Sequence, residues 1–220
     1  MITKLDFDTE LFGYNVGKLV VKDKFHYNKI SFSKDFDLVY IFSENKLPLT
    51  LMDQKQIFQR KTGSFKRYSN IMSIKDFTFD KLRMKELTFQ SGKLSRFNLD
   101  SNFRNNEYEK LYTKWFEKSI KFEISWEVLA FLENEELLGF VTLEENDNST
   151  ASIGLIAVKE TERGKGIGKK LIEQAINECF LNEYKFIEVA TQGLNQPAVN
   201  LYKKTGFSLK KTTYIYHLWQ

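Results

Sequence analysis

The sequence predicts a mixed α/β fold of the α+β kind, in which helices pack on a central sheet. Three observations predict it. Residues 127–133 and 138–144 are two β-rich runs around Asn134-Glu135-Glu136, a hairpin pattern. The continuous apolar run 151–158 leads into a glycine-rich turn and then a helical pattern. A further strand pattern at 186–191 is followed by a short helix at 197–205. A meander followed by strand–helix–strand–helix makes a mixed sheet with helices laid on it.

The chain has 220 residues, 42% hydrophobic and 28% charged, enough for one large domain or two small ones. Pro48 and Pro197 are the only prolines and no Gly/Ser-rich linker interrupts the sequence, so periodicity must define the organisation. Val16–Val21, 38–42 and the segment 57–68 predict a small N-terminal α/β unit over residues 1–80. Residues 81–220 then form the main domain. Within it, Tyr108, Leu111, Tyr112, Trp115, Phe116 and Ile120 recur at spacings of three and four, giving a helix with one apolar face. Ile167, Leu171, Ile172, Ala175, Ile176, Cys179 and Phe180 do the same for the helix after the glycine turn. Pro197 suits the first turn of the next helix and Gly206 its left-handed stop. Residues 207–209 and 213–219 are expected to close the fold as a strand pair. An apolar strand edge near the C-terminus would let two copies pair as a homodimer.

Composition excludes several classes. The net charge is only +4 and the basic residues cluster no further than pairs such as Lys169-Lys170, so no nucleic-acid partner is indicated. One cysteine, Cys179, forms neither a disulfide nor a thiolate cluster within the chain, and two histidines, His26 and His217, make a poor zinc set, so no metal is expected. The N-terminal residues lack the apolar core of a secretory signal, and no apolar run nears the roughly 18 residues that span a bilayer. The expectation is a cytoplasmic protein without membrane contact. The 20 Phe and 10 Tyr are read chiefly as core packing.

The chemistry concentrates in Arg163-Gly164-Lys165-Gly166-Ile167-Gly168 at the mouth of a helix. Glycines remove Cβ atoms, so backbone N–H groups can converge on an anion where the helix dipole is positive. Arg163, Lys165 and Lys169 flank the loop with cations. Together these describe a pyrophosphate seat. Counted from Gly164, both the P-loop and the dinucleotide fingerprint need a glycine where Lys169 stands. The pattern that fits is Arg-x-x-Gly-x-Gly, carried by Arg163, Gly166 and Gly168.

Here the chain resembles the Gcn5-related N-acetyltransferase (GNAT) family. The segment Asn195-Gln196-Pro197-Ala198-Val199-Asn200-Leu201-Tyr202, ending in Gly206-Phe207, is similar to that family's Asn-x-x-Ala-x-x-Leu-Tyr-x-x-x-Gly-Phe. The resemblance implies a mostly antiparallel central sheet flanked by helices, and acetyl-CoA as the acyl donor. It implies that Ile156, Ala157 and Val158 lend backbone groups to the pantetheine arm, with their strand splayed from the one at 188–191. Arg163, Gly164, Lys165, Gly166, Ile167, Gly168 and Lys169 would seat the pyrophosphate, and Asn195 would bond the arm. Tyr202 would lie by the sulfur as general acid, its phenol protonated at neutral pH. Direct transfer in a ternary complex is expected, because Cys179 on an apolar helix face is an unsuitable acyl carrier.

Further segments resemble the TDP-fucosamine acetyltransferase branch: Leu11-Phe12-Gly13, the helix with Tyr112 and Trp115, residues 139–143 with 153–157, and residues 189–192 with 213–219. That resemblance covers about residues 107–219. It implies a small-molecule amine acceptor, a nucleotide-linked amino-deoxy sugar. Tyr112 and Trp115 are candidates to stack on its sugar or base, with core packing as the alternative, and Arg96 is a candidate to meet a diphosphate, with a solvated surface arginine as the alternative. Other amines (a protein N-terminus, a lysine, a polyamine, an aminoglycoside) and a non-catalytic CoA-binding module remain rivals. The strand 151–158 has no carboxylate, so the general base is open among Glu127, Glu144 and His217, named by neighbourhood alone.

Overall fold

A computed structural model describes residues 1–21 and 35–220. His26 lies outside these, so of the two histidines only His217 is discussed further. The strands are β1 (Thr3–Lys4), β2 (Val16–Val21), β3 (Leu38–Ser43), β4 (Leu51–Lys61), β5 (Ile71–Ser73), β6 (Ser125–Glu133), β7 (Glu136–Asp147), β8 (Thr150–Val158), β9 (Phe186–Gln192) and β10 (Ser208–Trp219). The helices are α1 (Asp6–Phe12), α2 (Lys81–Ser91), α3 (Arg96–Leu99), α4 (Glu107–Ile120), α5 (Ile167–Leu181) and α6 (Gln196–Lys204).

Among the described residues all ten strands belong to one sheet, ordered β1-β2-β3-β10-β4-β9-β8-β7-β6-β5. Pairing is antiparallel except for β2 with β3 and β8 with β9. The mixed sheet anticipated from the sequence is therefore present. The strands of residues 1–80 are threaded through it: β4 lies between β10 and β9, and β5 ends the far edge.

Two sequence expectations change here. The C-terminal residues form one long strand, β10, in place of a strand pair; a register shift between Leu209 and Lys211 lets a single strand follow the twist of β4. Nor does the C-terminus offer an edge for a second copy. β10 is paired on both sides, with β3 and β4, and the outer strands are the two-residue β1 and three-residue β5.

Core packing follows the alternation of the strands. Leu143, Ala151, Ile153, Ile187 and Val189 meet Leu171, Ile172, Ala175, Ile176 and Cys179 of α5 on one face. On the other face Phe140, Leu155 and Ala157 meet Met84 and Leu87 of α2 and Phe116 of α4. Tyr108, Leu111 and Tyr112 of α4 continue that second layer over Leu38 and Tyr40 of β3. The predicted faces of α4 and α5 are thus inward, apart from Phe180, which is 47% exposed at the end of α5. Gly206, at φ +84°, ends α6 in the left-handed region as expected.

Candidate active site

The site begins with a fault in the sheet. Strands β8 and β9 pair in parallel only from Thr150↔Phe186 to Ile153↔Val189, then part. At that point Gly154 and Leu155 of β8 stand opposite the single residue Thr142 of β7. This bulge is satisfied locally: the Leu155 N–H donates to Thr142 Oγ1 at 2.8 Å. A bulge bends its strand and adds twist, which here turns the end of β8 away from β9. The Leu155 and Lys159 N–H groups both point to β7, the latter bonding Leu138 O at 2.8 Å. By strand alternation the Ile156 and Val158 N–H groups face the gap. A cleft of ≈ 970 Å³ runs through this gap and opens on both faces of the sheet.

On the α5/α6 side the cleft is a backbone cradle. Gly164 and Gly166 have φ of +82° and +86°, conformations that favour glycine. Gly166 is the N-cap of α5 and no side chain caps the helix, so its first-turn N–H groups are left for a ligand. A Cβ on Gly168 would come within 3.0 Å of Leu201 Cδ2, so glycine lets α5 and α6 approach without displacing that side chain. Arg163, Gly164, Gly166, Ile167, Gly168 and Lys169 all line the cleft. Lys165 stands apart, its ammonium bonded to Glu162 at 2.8 Å.

Helix α6 forms the opposite wall. Asn195 caps it by accepting the Ala198 N–H at 3.3 Å, and its amide remains at the cleft. Tyr202 lines the cleft from the first layer of the core, 3% exposed, between the rings of Phe58 and Phe207. Burial pushes its phenol pKa upward, so the hydroxyl holds its proton throughout the neutral range. Ile156, Ala157 and Val158 complete the wall.

On the α2/α4 side the lining is charged and aromatic. Phe58 of β4 packs beside Tyr202, so Asp53 and Lys55, of opposite parity, face the other way, beneath α3 and α4. Arg96, Tyr112 and Trp115 line the same end, with the two aromatic rings of α4 at 5.1 Å. Arg96 is held in place: its Nε–H donates to His217 Nε2 at 3.0 Å, and His217 Nδ1 meets Asp100 Oδ2 at 2.6 Å. Trp219 Nε1–H donates to the same carboxylate oxygen at 2.9 Å. The guanidinium also lies 4.3 Å from the Phe97 ring centre and 4.7 Å from that of Tyr40. With Arg96 donating to Nε2, the imidazole is neutral and gives its Nδ1 proton to Asp100. Burial and the Arg96 charge hold the His217 pKa below its ordinary value, against the pull of Asp100. Asp53 is 8% exposed, and burial raises its pKa to about 6 despite the Arg96 and Lys55 charges. The same desolvation lowers that of Lys55.

The candidate bases separate clearly. Glu127 takes hydrogen bonds from Ser73 (2.6 Å) and its neighbour's N–H at Val128 (2.8 Å), and pairs with Lys75 at the β5–β6 edge. His217 has both ring nitrogens engaged. Glu144 is different: a Cβ built on Gly154 would fall on its carboxylate, so that group lies against the bulge itself. Cys179 is wholly buried, its thiol pKa pushed up to about 12, which removes it as an acyl carrier.

The cleft therefore brings together the residues expected to bind donor and acceptor, except Lys165; of the candidate bases, Glu127 lies at the β5–β6 edge, His217 stands behind Arg96, and Glu144 lies against Gly154. Sequence reasoning missed Asp53, Lys55 and Asp100. The one available signal was Asp53 and Lys55 two residues apart in a β-rich run, charges on one face of a strand that should be half-buried.

The family model described as "Acetyltransferase (GNAT) family" matches residues 96–207. A streptothricin acetyltransferase of Escherichia coli is 42% identical over 80 residues, 36% of this chain and 45% of that protein. A dTDP-fucosamine acetyltransferase of Escherichia coli O6:H1 is 27% identical over 106 residues, 48% of this chain and 45% of the relative. The chain thus spans less than half the length of these curated relatives. Among solved structures, a GNAT-family acetyltransferase from Novosphingobium aromaticivorans superposes with a TM-score of 0.55 at 12% identity, over 84% of this chain and 75% of that one; it shares the fold.

Proposed function

Because this chain belongs to the GNAT family of acetyltransferases, we propose that it moves an acetyl group from acetyl-CoA to the amine of a nucleotide-linked amino-deoxy sugar. GNAT acetyltransferases use acetyl-CoA, which supplies the acetyl group as an activated thioester. The α5 cradle fits that donor: uncapped N–H groups, two left-handed glycines and the Arg163 and Lys169 cations suit a pyrophosphate. In this reading Asn195 and the edge of β8 hold the pantetheine arm. The Ile156 and Val158 N–H groups face the oxygen on which charge develops. Tyr202 gives its proton to the departing sulfur. Donor and amine meet in the gap between β8 and β9, so the chain's main contribution is to hold them together.

The observation that carries the acceptor assignment is Arg96, fixed by the His217–Asp100 relay next to Lys55 and roofed by Tyr112 and Trp115. A half-buried, pre-aimed guanidinium with a second cation suits a diphosphate, and the aromatic pair suits a sugar or base. The similarity to a dTDP-fucosamine acetyltransferase points the same way. Residues 1–80, which supply Asp53 and Lys55, are assigned to this acceptor side. A second reading, a basic antibiotic amine, draws on the similarity to a streptothricin acetyltransferase.

The test is thiol release from acetyl-CoA with a panel of amines: TDP-4-amino-4,6-dideoxy-galactose, its gluco epimer, UDP-linked amino sugars, streptothricin, spermidine and a basic peptide. Fast turnover of one nucleotide-sugar is expected. Turnover confined to the other amines would retain acetyl transfer and overturn the acceptor.

A further inference from the structure

We propose that Glu144 is the group that takes the proton from the acceptor's ammonium, delivered to the reaction gap from β7 through the space left by Gly154. The strand that forms the gap carries no carboxylate of its own between Thr150 and Val158. At the bulge, however, it carries a glycine, and the missing side chain is replaced by a neighbour's. A Cβ on Gly154 would overlap Glu144 Oε1 and Cδ and come within 3.0 Å of Thr142 Oγ1. Gly154 itself lines the cleft, at the first residue beyond the last β8–β9 pair. The carboxylate therefore stands at the point where the two strands part.

Three further observations fit the role. Leu143 packs in the α5 layer, so Glu144 projects to the α2/α4 side, the face of Arg96, Tyr112 and Trp115. Among the described residues Glu144 has no ion pair or hydrogen bond that would commit its oxygens. Its cross-strand neighbours are Ser125 of β6 and Ser152 of β8, with Thr142 beside it on β7; none bears a charge. Burial alone raises its pKa, the direction that makes a carboxylate a better proton acceptor.

The balance is simple. The ammonium R–NH₃⁺ gives one proton to the Glu144 carboxylate, which later passes it to solvent. The neutral amine forms the C–N bond as the C–S bond breaks. The thiolate takes a proton from Tyr202, and the second nitrogen proton restores the phenol. The products are the amide, the thiol and one proton.

The inference rests on acetyl transfer to an amine, whichever amine that is. The assay therefore uses the panel amine turned over fastest, so a wrong acceptor and a wrong base fail separately. The wild type is expected to show an acid limb in kcat/KM against pH. Glu144→Gln should lower kcat/KM at pH 7 about 10²-fold and abolish that limb, with acetyl-CoA affinity unchanged and the melting temperature not lowered. Glu144→Asp, one methylene short, should keep the limb at reduced kcat. Asp53→Asn should keep it too. A limb that survives in Glu144→Gln, or one that disappears in Asp53→Asn alone, would overturn the proposal.

Discussion

The two faces of the cleft are built on opposite principles. On the α5/α6 side the ligand-facing groups are mainly backbone: helix N–H groups, left-handed glycines and the open edge of β8. On the α2/α4 side they are side chains, among them the buried Asp53, the half-buried Lys55 and the half-buried Arg96, which His217 buttresses from behind. In the proposed reading the backbone side holds the acetyl-CoA that GNAT acetyltransferases share, and side-chain identity matters little there. The side-chain side then has to choose one acceptor, at the cost of desolvated charges. Specificity should therefore reside in β4, α3 and α4, with the chemistry in the gap between.

That contrast can be broken experimentally. The largest effect is expected in the gap: Tyr202→Phe keeps the ring packed against Phe58 and Phe207 but removes the proton. Steady-state assays should show kcat lower by about 10² or more, with calorimetric acetyl-CoA affinity unchanged. An unchanged kcat would move the acid elsewhere.

Next is the cost of the charged face. Burial raises the Asp53 pKa to about 6 in the folded protein, above the ordinary value of about 3.9 that it has in the unfolded chain. Below about pH 4 its carboxyl is protonated in folded and unfolded chains alike and costs nothing. Between about pH 4 and 6 the unfolded chain ionises while the folded one keeps its proton, so stability falls through that window and levels off above about pH 6. Asp53→Asn should therefore stabilise the protein by about 2–3 kcal/mol at pH 8 in urea unfolding, a gain that vanishes below about pH 4. A smaller effect is expected from Arg96→Ala. It removes one charge-assisted contact, so the acceptor KM should rise about tenfold with kcat less affected. Equal KM values would show that Arg96 serves only the fold.

How much of this was legible in the sequence follows the same division. The α5/α6 wall comes from one continuous stretch, from Gly154 to Phe207, where glycine spacing, the Pro197 start and the Gly206 stop are local signals. The fold class was legible for the same reason: strand and helix periods are local. The other wall is assembled from β4, α3, α4 and β10. Arg96 meets His217 across 121 residues, and Asp100 meets His217 across 117. No spacing rule reports such contacts, since strand register sets them. The same limit explains β10, read as a strand pair with a free edge; its interior place depends on β3 and β4, which lie far earlier in the chain. Glu144 shows the limit most sharply. The absence of a carboxylate in β8 was visible, but only the Gly154 bulge shows the one that fills its place.

The most direct test of a cleft divided through the sheet is calorimetric titration of acetyl-CoA onto wild type, Gly166→Val and Arg96→Ala. Valine is strained at φ +86° and would disturb the open N-terminus of α5. The division predicts that Gly166→Val weakens acetyl-CoA binding at least about tenfold and that Arg96→Ala leaves it unchanged. Equal weakening by both, or by Arg96→Ala alone, would contradict it.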